Sequence, residues 1–192
     1  MKIEIIQEKF SFLRNQYDVF VDGKLTFRAK SKLLSFIPTI RVYDLDNEWY
    51  CDVKQKNLNK RILMNYEVYF RNQSTYDLKS ESLIEHNLYT GNKKIDFYEQ
   101  EKRDIGIFKK GEQIGIISKN FKKVLSNDKY LILAENGEIK PIEILSFVLA
   151  YDYHFKNNDD SLLNYDFGNV SINPIKLIDK NWKPKKTFYN NG

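Results

Sequence analysis

The residue types that most often do chemistry are scarce in this chain of 192 residues. It has two histidines, His86 and His154, and a single cysteine, Cys51. A structural zinc site needs about four protein ligands, and a nucleophile needs a base within hydrogen-bond reach. The common phosphate-loop, metalloprotease and serine-hydrolase motifs do not occur in the sequence. The sequence therefore predicts no metal site, no cofactor and no catalytic residue, and Cys51 is interpreted as a small buried apolar side chain.

The segment 141–155 is the element around which the other elements must be arranged. Its sequence, PIEILSFVLAYDYHF, is apolar on nearly every side at helical spacing, and Pro141 and Glu143 suit a first helical turn. A helix that is apolar all round must be surrounded by other elements. At about 1.5 Å per residue it is about 22 Å long, which matches strands of roughly six or seven residues. We therefore expect one helix enclosed by sheet.

The chain before this helix is predicted to form many short strands joined by turns. Asp22-Gly23, Gly91-Asn92 and Asn136-Gly137 are turn signals, because these residues tolerate positive φ. The predicted strands are 3–6, 10–13, 17–21, 25–29, 39–43, 49–53, 62–64, 66–70, 84–89, 95–98, 104–108, 113–117 and 130–134, with 124–126 a weak one. Residues 71–81 are polar and are predicted to be a surface loop. It would separate two halves with a similar order of strands, as an internal duplication produces.

Length and charge are consistent with one domain followed by a tail. Residues 1–155 are predicted to be the domain, and 156–192 a C-terminal extension in which 170–178 could add an edge strand. The net charge of +5 permits attraction to phosphates or anionic lipid but does not require it. The lone cysteine fits a reducing compartment, and no signal peptide or membrane span is recognisable. We expect a cytoplasmic protein, either free or peripheral to a membrane.

The order of elements resembles the LURP-one-related family and its wider group, the tubby C-terminal-like domains, which include phospholipid scramblases. The resemblance covers residues 10–155 and is carried by FRAKSK from Phe27, TIRVYD from Thr39, QIGIISK from Gln113, YLILA from Tyr130 and VLAYD from Val148. It implies a mainly β fold: a closed antiparallel barrel of about 12 strands around one central apolar helix.

The resemblance also implies where an anion would bind. Basic residues on the barrel surface of tubby proteins bind phosphoinositides, and the matching positions here are Arg28, Lys30 and Lys32. Asp152 would lie at the barrel mouth, either bonded to backbone amides of a neighbouring loop or acting as a ligand or acid. The chain has no cysteine-rich acylation run and no compact calcium loop of the scramblase kind, which argues against scramblase activity.

Three functions remain open at this point. The first is a non-enzymatic binding module for anionic lipid headgroups or phosphorylated ligands. The second is a structural or protein-interaction domain with no small ligand and an unknown protein partner. The third is an enzyme that uses Asp152, which no nucleophile–base pair supports. The tail 180–189 mixes basic and aromatic residues, as an interfacial membrane contact or a nucleic-acid arm does. A packed or disordered terminus is more common, and there is no strong nucleic-acid signal.

Overall fold

A computed structural model describes residues 1–11, 14–31, 37–56, 63–100, 104–120, 129–156 and 176–185. Within these ranges the chain forms twelve β-strands followed by one α-helix. The strands are β1 Lys2–Ser11, β2 Arg14–Val21, β3 Lys24–Ser31, β4 Thr39–Tyr43, β5 Trp49–Gln55, β6 Asn65–Phe70, β7 Thr75–Ser80, β8 Glu85–Thr90, β9 Lys93–Glu99, β10 Ile105–Lys109, β11 Glu112–Asn120 and β12 Lys129–Ala134. The helix α1 spans Pro141–Lys156.

The twelve strands form one closed antiparallel barrel. Each strand pairs with its neighbours in the sequence, and β1 pairs with β12, in a register that runs from Lys2 opposite Leu133 to Ile6 opposite Lys129. Closure satisfies the backbone groups that an open sheet leaves unpaired at its edges. The predicted barrel is therefore confirmed.

The helix lies inside this barrel. Every side chain from Ile142 to Asp152 is buried, including the polar ones. Phe147 stacks on Phe97 of β9, with ring centroids 3.9 Å apart and planes 5° from parallel. Asp152 contacts strands on another wall, since it bonds to Tyr17 of β2. A helix with no polar face is thus covered on all sides by sheet, as its sequence requires.

The two ends of the barrel are named here by the helix. At the proximal end, where α1 begins, tight turns join the strands, and Asp22-Gly23 has positive φ at both residues, +47° and +81°. This is the hairpin that the sequence predicted. At the distal end α1 reaches Lys156.

One predicted loop is a strand. Residues 71–81 contain β7, which pairs with β6 and β8 and is needed to continue the sheet between them. Leu78 is its only fully buried side chain, and Thr75 and Lys79 on the outer face are exposed. The polar outer residues made the segment resemble a loop in composition, although the alternation of a strand was present.

Several predicted boundaries also need correction. The segments 3–6 and 10–13 were predicted as two strands, but β1 continues without a break as far as Ser11. Met64 precedes β6 and belongs to no strand. The predicted strand 124–126 lies outside the described residues, as do 170–175. Residues 176–178 are irregular, so this part of the predicted edge strand is wrong.

Candidate anion-binding site

Arg28 and Lys30 lie on the outer face of β3. Their neighbours Phe27 and Ala29 point into the barrel and are buried, so strand alternation turns both cations outward. In the pairing with β4, Arg28 is opposite Tyr43 and Lys30 is opposite Arg41. Three cations therefore share the outer face of two adjacent strands. The third cation named by the resemblance, Lys32, lies outside the described residues.

Two carboxylates partly neutralise this face. Asp18, opposite Arg28 on β2, has Oδ1 3.5 Å from the guanidinium Nε. Arg41 donates two hydrogen bonds to Asp52, from Nε to Oδ1 at 2.8 Å and from Nη2 to Oδ2 at 2.9 Å. The bonds to Asp52 raise the pKa of Arg41. Among the described residues none forms an ion pair with the exposed Lys30, so its charge faces solvent.

Exposed apolar side chains adjoin these cations. Trp49 is 37% exposed, and the Arg41 guanidinium carbon lies 5.4 Å from the indole centroid. Tyr69, opposite Asp52 in the pairing of β5 with β6, and Leu45 in the β4–β5 turn are also exposed, and with Trp49 we call them the aromatic patch. Cations beside exposed aromatic rings are typical of surfaces that meet a membrane interface. The sequence analysis did not identify the patch, because alternation alone does not show which aromatic residues remain uncovered.

Asp152 is enclosed near the distal end of the barrel and is only 1% exposed. Its Oδ2 accepts a hydrogen bond of 2.8 Å from Tyr17, and its Oδ1 accepts one of 3.0 Å from Lys119 and a shorter one from Tyr130. Burial and the neighbouring carboxylate raise the pKa of the Tyr130 hydroxyl. These three donors are side chains of the barrel wall. The carboxylate therefore fastens α1 to β2, β11 and β12.

A second buried polar group, which the sequence analysis did not identify, joins β7 and β8. Ser80 and His86 are opposite each other, with Oγ and Nδ1 2.7 Å apart. Met64 donates its backbone N–H to the same Oγ at 3.2 Å. The serine proton can therefore be donated to Nδ1, which places the imidazole proton on Nε2. Strand register could have indicated this pair, but β7 was taken for a loop.

The Ser80–His86 pair has the composition of a nucleophile and its base, but its surroundings oppose catalysis. His86 is fully buried, and burial lowers the pKa of its imidazole to about 3, with His154 adding a smaller effect. A base with so low a pKa accepts protons poorly near neutral pH. The pair is better explained as a structural hydrogen bond within the core, and Nε2 of His86 is buried without a hydrogen-bond partner among the described residues.

A cleft of about 460 Å³ lies at the proximal end. It is lined by the β10–β11 turn, by the segment before α1 and by Lys185 of the C-terminal tail. Three lysines and three glutamates line it. Several of these charges are already used: Lys109 bonds to Glu138 at 2.7 Å, and Glu135 accepts the Lys185 backbone N–H at 2.7 Å. The cleft therefore offers balanced charge in place of an anion site.

No helix in the described part of the chain combines the length and the apolar character that a membrane crossing requires. No group of three or more histidine, cysteine, aspartate or glutamate residues is arranged there to hold a metal ion.

Comparisons of the chain with protein families, with curated proteins and with solved structures found no match. Its function must therefore be inferred from its own residues and their arrangement.

Proposed function

We propose that this protein is a non-enzymatic binding module that holds an anionic, phosphate-bearing ligand on the outer face of β3, β4 and β5. The observation that carries the proposal is the register of β3 and β4, which sets Lys30 opposite Arg41 and keeps Arg28 on the same face. The resemblance of the sequence to tubby C-terminal-like domains, whose basic barrel residues bind phosphoinositides, supports the same face.

The chemistry of the three cations suits a phosphate group. Lys30 supplies an exposed point charge, and the planar guanidinium groups of Arg28 and Arg41 can each donate two parallel bonds to phosphate oxygens. Asp18 and Asp52 compete for these donors. The Arg28–Asp18 pair is partly exposed and at 3.5 Å contributes only about 0–1 kcal/mol, so a phosphate with two charges can displace or share it.

The aromatic patch favours a ligand at a membrane surface. An indole beside a cation sits well at the headgroup level, where its apolar ring and its N–H are both accommodated. A free phosphorylated molecule would use the same cations without the patch. We therefore propose that the protein binds anionic lipid peripherally, in keeping with the cytoplasmic location expected from its sequence, and the experiment below separates the two sources of phosphate.

The test is a titration of Trp49 fluorescence in a Trp182→Phe background, because the chain has two tryptophans. Vesicles of phosphatidylcholine with a phosphoinositide should shift the emission to shorter wavelength, and binding should weaken as salt rises. Soluble inositol phosphate that competes without a shift would identify a free ligand. Phosphatidylcholine alone should have no effect.

A matched pair of charge reversals locates the site. Lys30→Glu should weaken vesicle binding at least tenfold. Lys94→Glu is the control, because Lys94 lies on β9, six strands away around the barrel, and is 46% exposed. Equal losses in both variants would show only a response to net charge and would contradict the proposed site.

The second candidate function is a structural or protein-interaction domain, and the aromatic patch is the observation that favours it. Apolar side chains that remain exposed next to each other often mark a protein interface. Under this alternative no vesicle composition binds the protein. A photoreactive residue at Tyr69 would instead give an adduct with one protein of defined mass, and Trp49→Ser would remove that adduct.

A further inference from the structure

The tail segment, residues 176–185, lies on the outer wall of the barrel over β10 and β11. Ile178 and Trp182 are its two anchors, 8% and 9% exposed, and they pack against Phe108 and Ile116. Leu177, which immediately precedes Ile178, is 82% exposed. The segment therefore buries selected side chains, as a bound peptide does. Residues 176–185 are thus packed on the barrel, and residues 186–192 of the tail lie outside the described residues.

A glycine on β10 makes the hollow that receives Ile178. A Cβ added at Gly106 would lie 2.8 Å from Ile178 Cγ1 and 2.7 Å from Phe108 Cε2. These distances are too short for real contacts, so no larger residue fits without moving the anchor. The missing side chain of Gly106 therefore allows Ile178 of the segment to approach β10 closely.

Side chains of the barrel contact the main chain of the segment. Gln113 donates from Nε2 to the Asp179 carbonyl at 3.2 Å and accepts the Asp179 N–H at 2.9 Å. Gln100 donates to the Lys176 carbonyl at 3.1 Å, and Glu135 accepts the Lys185 N–H at 2.7 Å. Bonds to main-chain groups, combined with pockets for two side chains, are how peptide-binding domains recognise their ligands.

The segment forms no strand with the barrel. β10 and β11 are each already paired on both sides, so no ladder positions remain for it. Among the described residues, the ten residues of the segment are held by two apolar anchors, by the Lys176 ammonium over the rings of Tyr98 and Phe108, and by a few side-chain bonds. Segments with so few buried contacts open more readily than the core.

We propose that Gly106, Phe108, Gln113, Ile116 and Glu135, which we call the seat, form a peptide-recognition site that the tail segment occupies as an intramolecular ligand. The vacant seat takes a segment of the same chemistry from a partner protein. That segment has an aliphatic residue followed by aspartate, and tryptophan four positions after the aliphatic residue. The tail and the partner compete for the seat.

The charges of the tail segment and its covalent attachment to the barrel determine how a partner segment competes with it. The tail segment carries four lysines and one aspartate, and its last lysine lies beside Glu135, with Glu112 and Glu138 lining the same cleft. A partner segment should therefore be basic toward its C-terminal end. A tethered ligand acts at an effective concentration of roughly millimolar, so a free segment binds measurably only when the tail is weakened.

The test uses a fluorescein-labelled peptide with the sequence of residues 176–185, KLIDKNWKPK, and the full chain. In the variant Ile178→Asp/Trp182→Ala the tail loses both anchors. The peptide should bind this variant at least tenfold more tightly than it binds the unaltered chain. Leu177→Asp is the matched control, because that side chain is already in solvent, and it should bind like the unaltered chain.

Further variants test the seat itself. Adding Gln113→Ala or Gly106→Val to the displaced-tail variant should weaken peptide binding at least tenfold, and so should replacing the tryptophan of the peptide by alanine. Unaltered circular dichroism and thermal midpoint would show that each variant remains folded.

Equal peptide binding to the unaltered and displaced-tail chains would overturn the proposal. So would an absence of binding to a displaced-tail chain in which fast hydrogen exchange of the Asp179 and Lys185 amides shows that the seat is open. If exchange shows that the seat stays covered, peptide well above the roughly millimolar effective concentration of the tail must displace the tail of the unaltered chain, seen in the indole NMR signal of Trp182. Failure to do so overturns the proposal as well. Self-association of copies in place of peptide binding would overturn the assignment to a partner protein. The seat is separate from Arg28 and Lys30, so its failure leaves the anion-binding proposal intact.

Discussion

Asp152 on α1 and Lys119 on β11 form an ion pair inside the barrel, with carboxylate oxygen and ammonium nitrogen 3.0 Å apart. Their side chains are 0% and 6% exposed. The hydroxyls of Tyr17 and Tyr130 donate to the same carboxylate. Because the donors come from three strands, the pair fixes both the depth and the rotation of the helix.

Removal of one partner of this pair should be costly. Lys119→Met leaves a buried carboxylate without its cation and should lower the free energy of unfolding by about 3–5 kcal/mol. Adding Asp152→Asn should restore part of the loss. Urea denaturation followed by circular dichroism measures both. The matched control is Lys109→Met, whose partly exposed pair with Glu138 should contribute about 1 kcal/mol or less. A Lys119→Met variant as stable as the unaltered chain would contradict this role.

The stacked rings of Phe147 and Phe97 should be the largest apolar contribution of the helix. Phe147→Ala removes a fully buried ring from the centre of the barrel and should destabilise the protein by about 3–5 kcal/mol. Phe147→Leu should cost less, since it leaves a smaller cavity. Leu83→Ala, at a 40% exposed position, should change stability by about 0.5 kcal/mol or less. Similar losses at residues 83 and 147 in thermal denaturation would show that α1 is not enclosed.

His86 should make stability depend on pH. Its imidazole has a pKa of about 3 in the folded protein, below the ordinary value of 6.5, so the folded state takes up the proton less readily than the unfolded chain. The stability it contributes is complete above about pH 6.5. It is lost as pH falls from there toward 3, at up to about 1.4 kcal/mol per pH unit.

The variant His86→Phe removes the pH-dependent contribution of the imidazole to the free energy of unfolding. Between about pH 7 and pH 5 it should lose less free energy of unfolding than the unaltered chain, by about 2 kcal/mol. Urea titrations at the two pH values give the difference. Titrating carboxylates affect both proteins alike and cancel in the comparison. Parallel pH dependence of the two proteins would contradict a neutral, buried His86.

Cys51 should be unreactive in the folded protein. It is fully buried, and desolvation, with a smaller effect of the Asp52 carboxylate, raises the pKa of its thiol. The thiolate is the reactive form, so a thiol reagent should label the folded chain only as fast as it unfolds. Labelling should become rapid in denaturant. Rapid labelling in buffer would place Cys51 outside the core.

The helix and much of the barrel followed from local sequence. The enclosed helix was predictable because an all-round apolar segment can be satisfied only inside other elements. Pro141 begins α1 as predicted, and the predicted end at residue 155 is one residue short. The hairpin at Asp22-Gly23 followed from the positive φ that both residues tolerate. β7 was missed because its outer residues are polar and few of its side chains are buried.

The partners of functional and buried residues could not be predicted locally. Asp152 was singled out, but Tyr17 is 135 positions away in the chain and meets it only through closure of the barrel. The same holds for Trp182, whose basic and aromatic surroundings left both an exposed arm and a packed terminus open. Its seat on β10 and β11 depends on Gly106, a residue that has no signal of its own in the sequence. Lys186, Phe188 and Tyr189 of the same tail lie outside the described residues.

The most direct test of the anion-binding face is backbone-amide NMR of the ¹⁵N-labelled protein titrated with soluble inositol phosphate. Chemical-shift changes should saturate and concentrate on β3 to β5, at Arg28, Lys30, Arg41 and Trp49, and they should disappear in Lys30→Glu. Saturable changes centred on the proximal cleft or the tail, or no changes at millimolar ligand, would contradict the proposed site.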